Sequence, residues 1–286
     1  LPRIIGHALI GLMLLVLAGC STWRVAYNQS ETLVYWWVDR HLDLSSEQKP
    51  LVREALADWH RWHRQQQLPQ YLEFLQRAQG MALRNVNADE VCALSREVQG
   101  SLVQLVRQIE LPATQLLVQL QASQLRQLRQ RYDTGNADWR EEWLDGSAEK
   151  RLRHRHKQAL GRLEDAYGRI DAGQRELLLQ WLSQSGYDAE MAYAERLRRQ
   201  ADSIQTLERV RLMGTVSASA RAEVRGWMER AFESPNPSHR DHAQALWLAN
   251  CQGFARWHNS TSPEQRQRLL QTLRDYEQDV RSLMRG

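Results

Sequence analysis

The chain has 286 residues, 42% hydrophobic and 25% charged, with a formal net charge of +4. That apolar share excludes a wholly disordered chain, and a mean hydropathy of −0.62 excludes a polytopic membrane protein. Three cysteines exclude a disulfide-dense scaffold, and 15 Gly with 7 Pro are few for a turn-rich all-β fold.

In chain order, Arg3 precedes a mostly apolar run from Ile4 to Leu17. The run is shorter than the ~20 residues of a spanning helix and suits a secretory leader. It ends in Leu17-Ala18-Gly19-Cys20, with small residues where a signal peptidase cuts. These four residues resemble the bacterial lipobox. The resemblance implies cleavage between Gly19 and Cys20, diacylglycerol on the Cys20 thiol, and an acyl chain such as palmitate on the new amine. Ser21 rather than Asp follows, which by resemblance to the lipoprotein sorting rule implies the outer membrane of a Gram-negative cell. The alternative is an ordinary signal peptide, or a buried first helix with a chance cysteine. The expected organisation is a signal peptide over 1–19 and a single periplasmic α-helical domain over 20–286. No cofactor is expected beyond the covalent lipid on Cys20.

Beyond Cys20 the apolar residues recur with helical period. Val91, Leu94, Val98, Leu102, Leu105 and Ile109 share one helix face, as do Leu269, Leu273, Tyr276, Val280 and Leu283. No stretch alternates with period two. Helix starts carry a capping-box pattern, in which an N-cap residue stands three before a Gln or Glu that reaches back to its amide. Ser45/Gln48, Asn87/Glu90, Asp138/Glu141, Asp171/Gln174 and Ser262/Gln265 fit it. Breaks are expected at Leu68-Pro69, Leu111-Pro112, Gly135-Asn136, Gly146 and Gly186, with a linker from Glu233 to Ser238. The reading is an all-α, irregular array or bundle of about nine or ten helices. No 34-residue period is present, against a regular tetratricopeptide array. With Cys20 lipidated, Cys92 and Cys251 form an even pair, either a disulfide in an oxidising compartment or two buried thiols.

Two family resemblances follow from these motifs. Leu44 to Gln48, Leu111 to Gln115, Ile170 to Gln174 and Thr261 to Gln265 are similar to the Leu-Thr-x-x-Gln motifs of Cpx/Spy-type periplasmic helical proteins, which implies a chaperone or metal-responsive stress protein. The fuller resemblance is to uncharacterised proteobacterial lipoproteins grouped as a domain of unknown function. It rests on Cys20, Tyr27-Asn28, the aromatic Tyr35-Trp36-Trp37, Leu44 to Gln48, Trp62-His63-Arg64, Leu68-Pro69-Gln70-Tyr71 and the closing helix from Ser262 to Tyr276. It implies a fold and a location, not an activity.

Several groups are candidates for chemistry. His60 and His63 stand i, i+3 in Trp59-His60-Arg61-Trp62-His63-Arg64, so both imidazoles can meet a metal, with His258 or an acid as third ligand. The bland reading is a hydrogen-bonded aromatic–His cluster. The N-terminal aromatic segment, Tyr27 with Leu33 to Val38, is either a membrane-interface element or a core helix. The basic block from Lys150 to Lys157 is either an anion-binding surface or a solvated helix face. Serine-lysine spacings at Ser46/Lys49 and Ser147/Lys150 lack the partner motifs of penicillin-binding enzymes. Nothing resembles a nucleophile elbow, a phosphate loop or a zincin helix. The expectation is therefore a non-enzymatic lipoprotein that is held to the membrane by its anchor, binds protein or envelope components, and has no nucleic-acid partner.

Overall fold

The fold is taken from a computed structural model that describes residues 20–285, with side chains from residue 24 onward. The leader over 1–19, with Gly19 of the expected cleavage site, lies outside the described residues. The described chain contains no strand. Its helices are α1 (Cys20–Asn28), α2 (Ser30–Leu42), α3 (Gln48–Trp62), α4 (Leu68–Ala82), α5 (Ala88–Arg107), α6 (Glu110–Leu117), α7 (Ala122–Trp139), α8 (Ala148–Tyr167), α9 (Ala172–Gln184), α10 (Ala189–Met213), α11 (Ala218–Phe232), α12 (Pro237–Asn259) and α13 (Pro263–Arg285). One residue separates α1 from α2, so with those two taken together the count is about twelve rather than nine or ten.

Local chemistry explains the differences from the expected boundaries. At Leu68-Pro69 the chain does not turn. Pro69 cannot donate, and its ring crowds the carbonyl four residues back, so the ladder widens into a π segment, His63–Gln67, before α4 resumes. A second π segment, Arg140–Leu144, follows α7, so Asp138 lies inside a helix and does not cap one. Gly135 does not break α7 either. Its carbonyl accepts from Arg196 at 3.0 Å, and a Cβ there would stand 3.3 Å from that guanidinium. The glycine permits a close approach instead of a turn. Gly146 and Gly186 do end helical segments, with φ of +100° and +74°.

The chain forms two compact units, each drawn from three separated stretches. The first comprises the described residues through Gln66, Ser101–Glu141 and Ala192–Pro235. Its core joins Leu125, Leu128 and Tyr132 of α7 to Ile204, Leu207 and Val210 of α10 and to Ala220, Val224 and Met228 of α11. Burying each such Leu or Val contributes about 1.5–3 kcal/mol. A second cluster, Tyr35, Leu44, Val52 and Leu116, holds α2, α3 and α6 together.

The second unit comprises Gln67–Gly100, Glu142–Met191 and Asn236–Gly286, of which the last residue is not described. Tyr167, Ile170, Leu178, Leu182 and Trp257 form its core from α8, α9 and α12, and α4 packs along α13. Gly253 lets α12 meet α9, since a Cβ there would overlap the Trp181 ring. Cys92 of α5 and Cys251 of α12 are joined as a disulfide, with Cα atoms 5.5 Å apart.

Candidate functional site

The capping boxes do more than start helices. In the first unit, the Gln48 side-chain oxygen accepts from the Ser45 amide at 3.0 Å, and that of Gln124 accepts from the Gln121 amide at 2.8 Å. The two side-chain amides also bond each other in both directions, at 3.2 and 2.7 Å. Each then donates to the backbone of the opposite turn: Gln48 to the Gln119 carbonyl and Gln124 to the Asp43 carbonyl. Every donor and acceptor of both amides is used. The second unit repeats the arrangement. Gln174 and Gln265 accept from the Asp171 and Ser262 amides, bond each other at 2.7 and 2.8 Å, and donate to the Ser260 and Arg169 carbonyls.

The helices around each centre correspond. In the first unit α2 packs on α3 and α7, and α3 packs on α6. In the second α8 packs on α9 and α13, and α9 packs on α12. Each unit thus clasps two helical hairpins through one glutamine pair. The residue just before each cap plugs the core: Leu44, Leu120, Ile170 and Thr261 are all buried. Three of the four boxes are among those read from sequence. The fourth is Leu120 to Gln124, not Leu111 to Gln115, which lies within α6 and starts nothing.

A family model matches residues 40–214, more than half of the chain. The chain belongs to the family of unknown function DUF6279. The match includes Leu44 to Gln48, Trp62-His63-Arg64 and Leu68 to Tyr71, and stops short of Cys20 and of the closing helix. No curated protein and no solved structure matches the chain.

Beside the second centre, an open pocket of about 760 Å³ is lined by Arg169, Arg175 and Arg268 and by Asp171 and Glu264. Arg175 is paired with Glu164 at 3.1 Å. The pocket has mixed charge.

His60 and His63 both pack on Tyr27 of α1, with ring centroids 4.7 and 5.6 Å away. The Tyr27 hydroxyl donates to His63 Nδ1 at 2.9 Å, and His60 Nδ1 faces Glu31 at 2.9 Å. Burial, with the neighbouring His60, depresses the His63 pKa to about 4. Burial raises that of Tyr27 to about 12, so the phenol keeps the proton it donates. His258 stands in the second unit with a matching partner. Tyr167 donates to its Nδ1 at 2.8 Å, and its Nε2 donates to the Arg84 carbonyl at 3.0 Å. Among the described residues no three His, Cys, Asp or Glu side chains converge to hold a metal ion.

Sequence reading missed the buried carboxylates. Glu110 of α6 is clamped by Arg225 and Arg221 of α11 at 2.7 and 2.9 Å, and these bonds hold it below the usual carboxylate range. Burial pushes Glu195 upward, but bonds from Arg198, Ser234 and Arg199 outweigh it and leave the carboxyl depressed. Both are ionised acceptors at neutral pH, already bound to guanidinium groups. The basic block divides within α8. Arg151 caps the Leu144 and Gly146 carbonyls and Arg155 lies over Tyr187, while Lys150, Arg153 and Lys157 are exposed. The aromatic run divides too: Tyr35 is buried, Trp37 packs in a tilted contact on His41 with ring centroids 4.2 Å apart, and Trp36 is exposed.

Proposed function

We propose that the protein is a lipid-anchored, non-catalytic helical body on the periplasmic face of the outer membrane, which binds protein or other envelope components. The observation that carries this reading is that Cys20, which ends the Leu17-Ala18-Gly19-Cys20 motif, already lies in helix α1 as the first described residue. Diacylglycerol on that thiol ties the helical body to the bilayer without a flexible spacer. A triacylated cysteine exceeds the single chain that binds a membrane only marginally. The buried polar groups support a binding body over an enzyme, because the candidate histidines and carboxylates serve as partners of Tyr and Arg within their own unit.

Intact-mass measurement of protein from native membranes tests the anchor. The expected mass is that of the chain from Cys20 with three acyl chains, shifting to the uncleaved precursor when lipoprotein signal peptidase is inhibited. An unacylated chain retaining residues 1–19 overturns it. A second reading, a chaperone of the Cpx/Spy type, is favoured by one observation: three of the four glutamines in the two centres, Gln48, Gln174 and Gln265, end segments similar to the motif of those proteins. Suppression of client aggregation at equimolar protein supports it, and undiminished aggregation rejects it.

A further inference from the structure

The helical ladder does not stop between α1 and α2. The Gln29 amide donates to the Val25 carbonyl and the Leu33 amide to the Gln29 carbonyl, both at 3.0 Å. One face therefore runs at steps of four, four, three and four through Val25, Gln29, Leu33, Trp36 and Arg40; Cys20, five residues before Val25, is outside this register. The opposite face is the one held by the first unit: Tyr27 and Tyr35 are buried, and Glu31 meets His60. The outer face is the anomaly. Val25 is 60% exposed, Leu33 56% and Trp36 63%. A helix apolar on both sides is one that something covers. The stripe carries no acidic side chain. Asp39 accepts from the Leu44 amide, and Arg40 stands exposed at the far end.

We propose that this face lies on the lipid bilayer, with Val25, Leu33 and Trp36 in the boundary between headgroups and acyl chains and Arg40 at the level of the phosphates. The inference rests on the anchored reading above, since acyl chains on Cys20 hold the first turn of α1, five residues before Val25, near the surface. Trp36 lies 16 residues on, about 24 Å along a helix, so the stripe stays within reach of the anchor. An aromatic ring and an arginine are the side chains that settle at this interface.

The test uses the full chain from residue 20 with Cys20→Ser, so that no acyl chain contributes. It is floated with vesicles of phosphatidylethanolamine and phosphatidylglycerol. We expect it to float, and its partition to fall ~10-fold or more with Leu33→Glu and Trp36→Glu together, because interfacial binding follows apolar contact area. Trp36→Ser alone, a change at an exposed site, should give a smaller loss with an unaltered melting temperature. Leu212→Glu, at an apolar residue 70% exposed elsewhere, should leave partition unchanged. Failure of the unacylated chain to float, equal flotation of the double variant, or an equal loss with Leu212→Glu overturns the proposal. So does a dimer in sedimentation that the double variant dissociates while vesicles bind nothing. The mass of the native protein reports the anchor separately, so a failure of the face and a failure of the anchor are told apart.

Discussion

At Tyr27 and His63 the surroundings decide where two protons sit. Tyr27 keeps its proton and donates it, so His63 must offer a bare Nδ1, and burial keeps the ring neutral. This neutrality links stability to pH. An unfolded histidine binds its proton near pH 6.5, whereas folded His63 does so at about 4. Between those values the unfolded chain holds more protons, so stability is full above pH 6.5 and is lost as pH falls towards 4. The loss from this group is roughly 3 kcal/mol. His60 and His258 are shifted downward too, chiefly by burial, and add in the same direction. Thermal midpoints measured from pH 7.5 to 4.5 should therefore decline, and His63→Gln should flatten part of that slope. A slope unchanged by the substitution refutes the assignment. The hexamer around His60 and His63 was visible in the sequence as two imidazoles on one helix face. Their partners were not, because Tyr27 and Glu31 precede the hexamer on other helices and no local spacing announces them.

Helix caps show how far a local rule reaches. Ser45, Asp171 and Ser262 carry cap chemistry in their side chains, so three boxes could be read from sequence. Gln121 is not a preferred cap, so no letter announces the box it opens, whereas Leu111 to Gln115 has the motif's letters and lies inside α6. The pairing of boxes was illegible for a different reason. Their partners stand 76 and 91 residues apart, and only tertiary packing joins them. This coupling can be measured. Gln48→Leu strands the Ser45 amide, the Gln119 carbonyl and half of the Gln124 amide without partners. A stranded buried group costs about 1–3 kcal/mol; the Gln124 amide is buried and the Ser45 and Gln119 groups partly so, so the variant should lose about 2 kcal/mol or more in urea unfolding. Adding Gln124→Leu should cost much less than the sum of the two single changes, since partners removed together leave fewer orphans. Additive losses would mean that the two amides do not act as a pair.

For the molecule as a whole, composition and period were enough to read an all-helical body. The division into two units was not legible, because each is assembled from three stretches that interleave along the chain. The disulfide joins the first and last stretches of the second unit across 159 residues, and both sulfurs are buried. Removing it frees a long loop in the unfolded chain, a loss of about 3–5 kcal/mol. The Cys92→Ser and Cys251→Ser double variant should unfold at correspondingly lower urea, and the parent should show no titratable thiol at these positions before reduction. An unchanged midpoint would place the stabilisation elsewhere. The glutamine centres carry a consequence of another kind. One hairpin design is used four times in this chain, and across its copies the cap letter has already varied among Ser, Gln and Asp while the side-chain amide has stayed. Glutamate offers no donor and asparagine falls a methylene short. Evolutionary drift can therefore rewrite the turns, but in any relative that keeps this fold the four amides should be the letters that refuse to change.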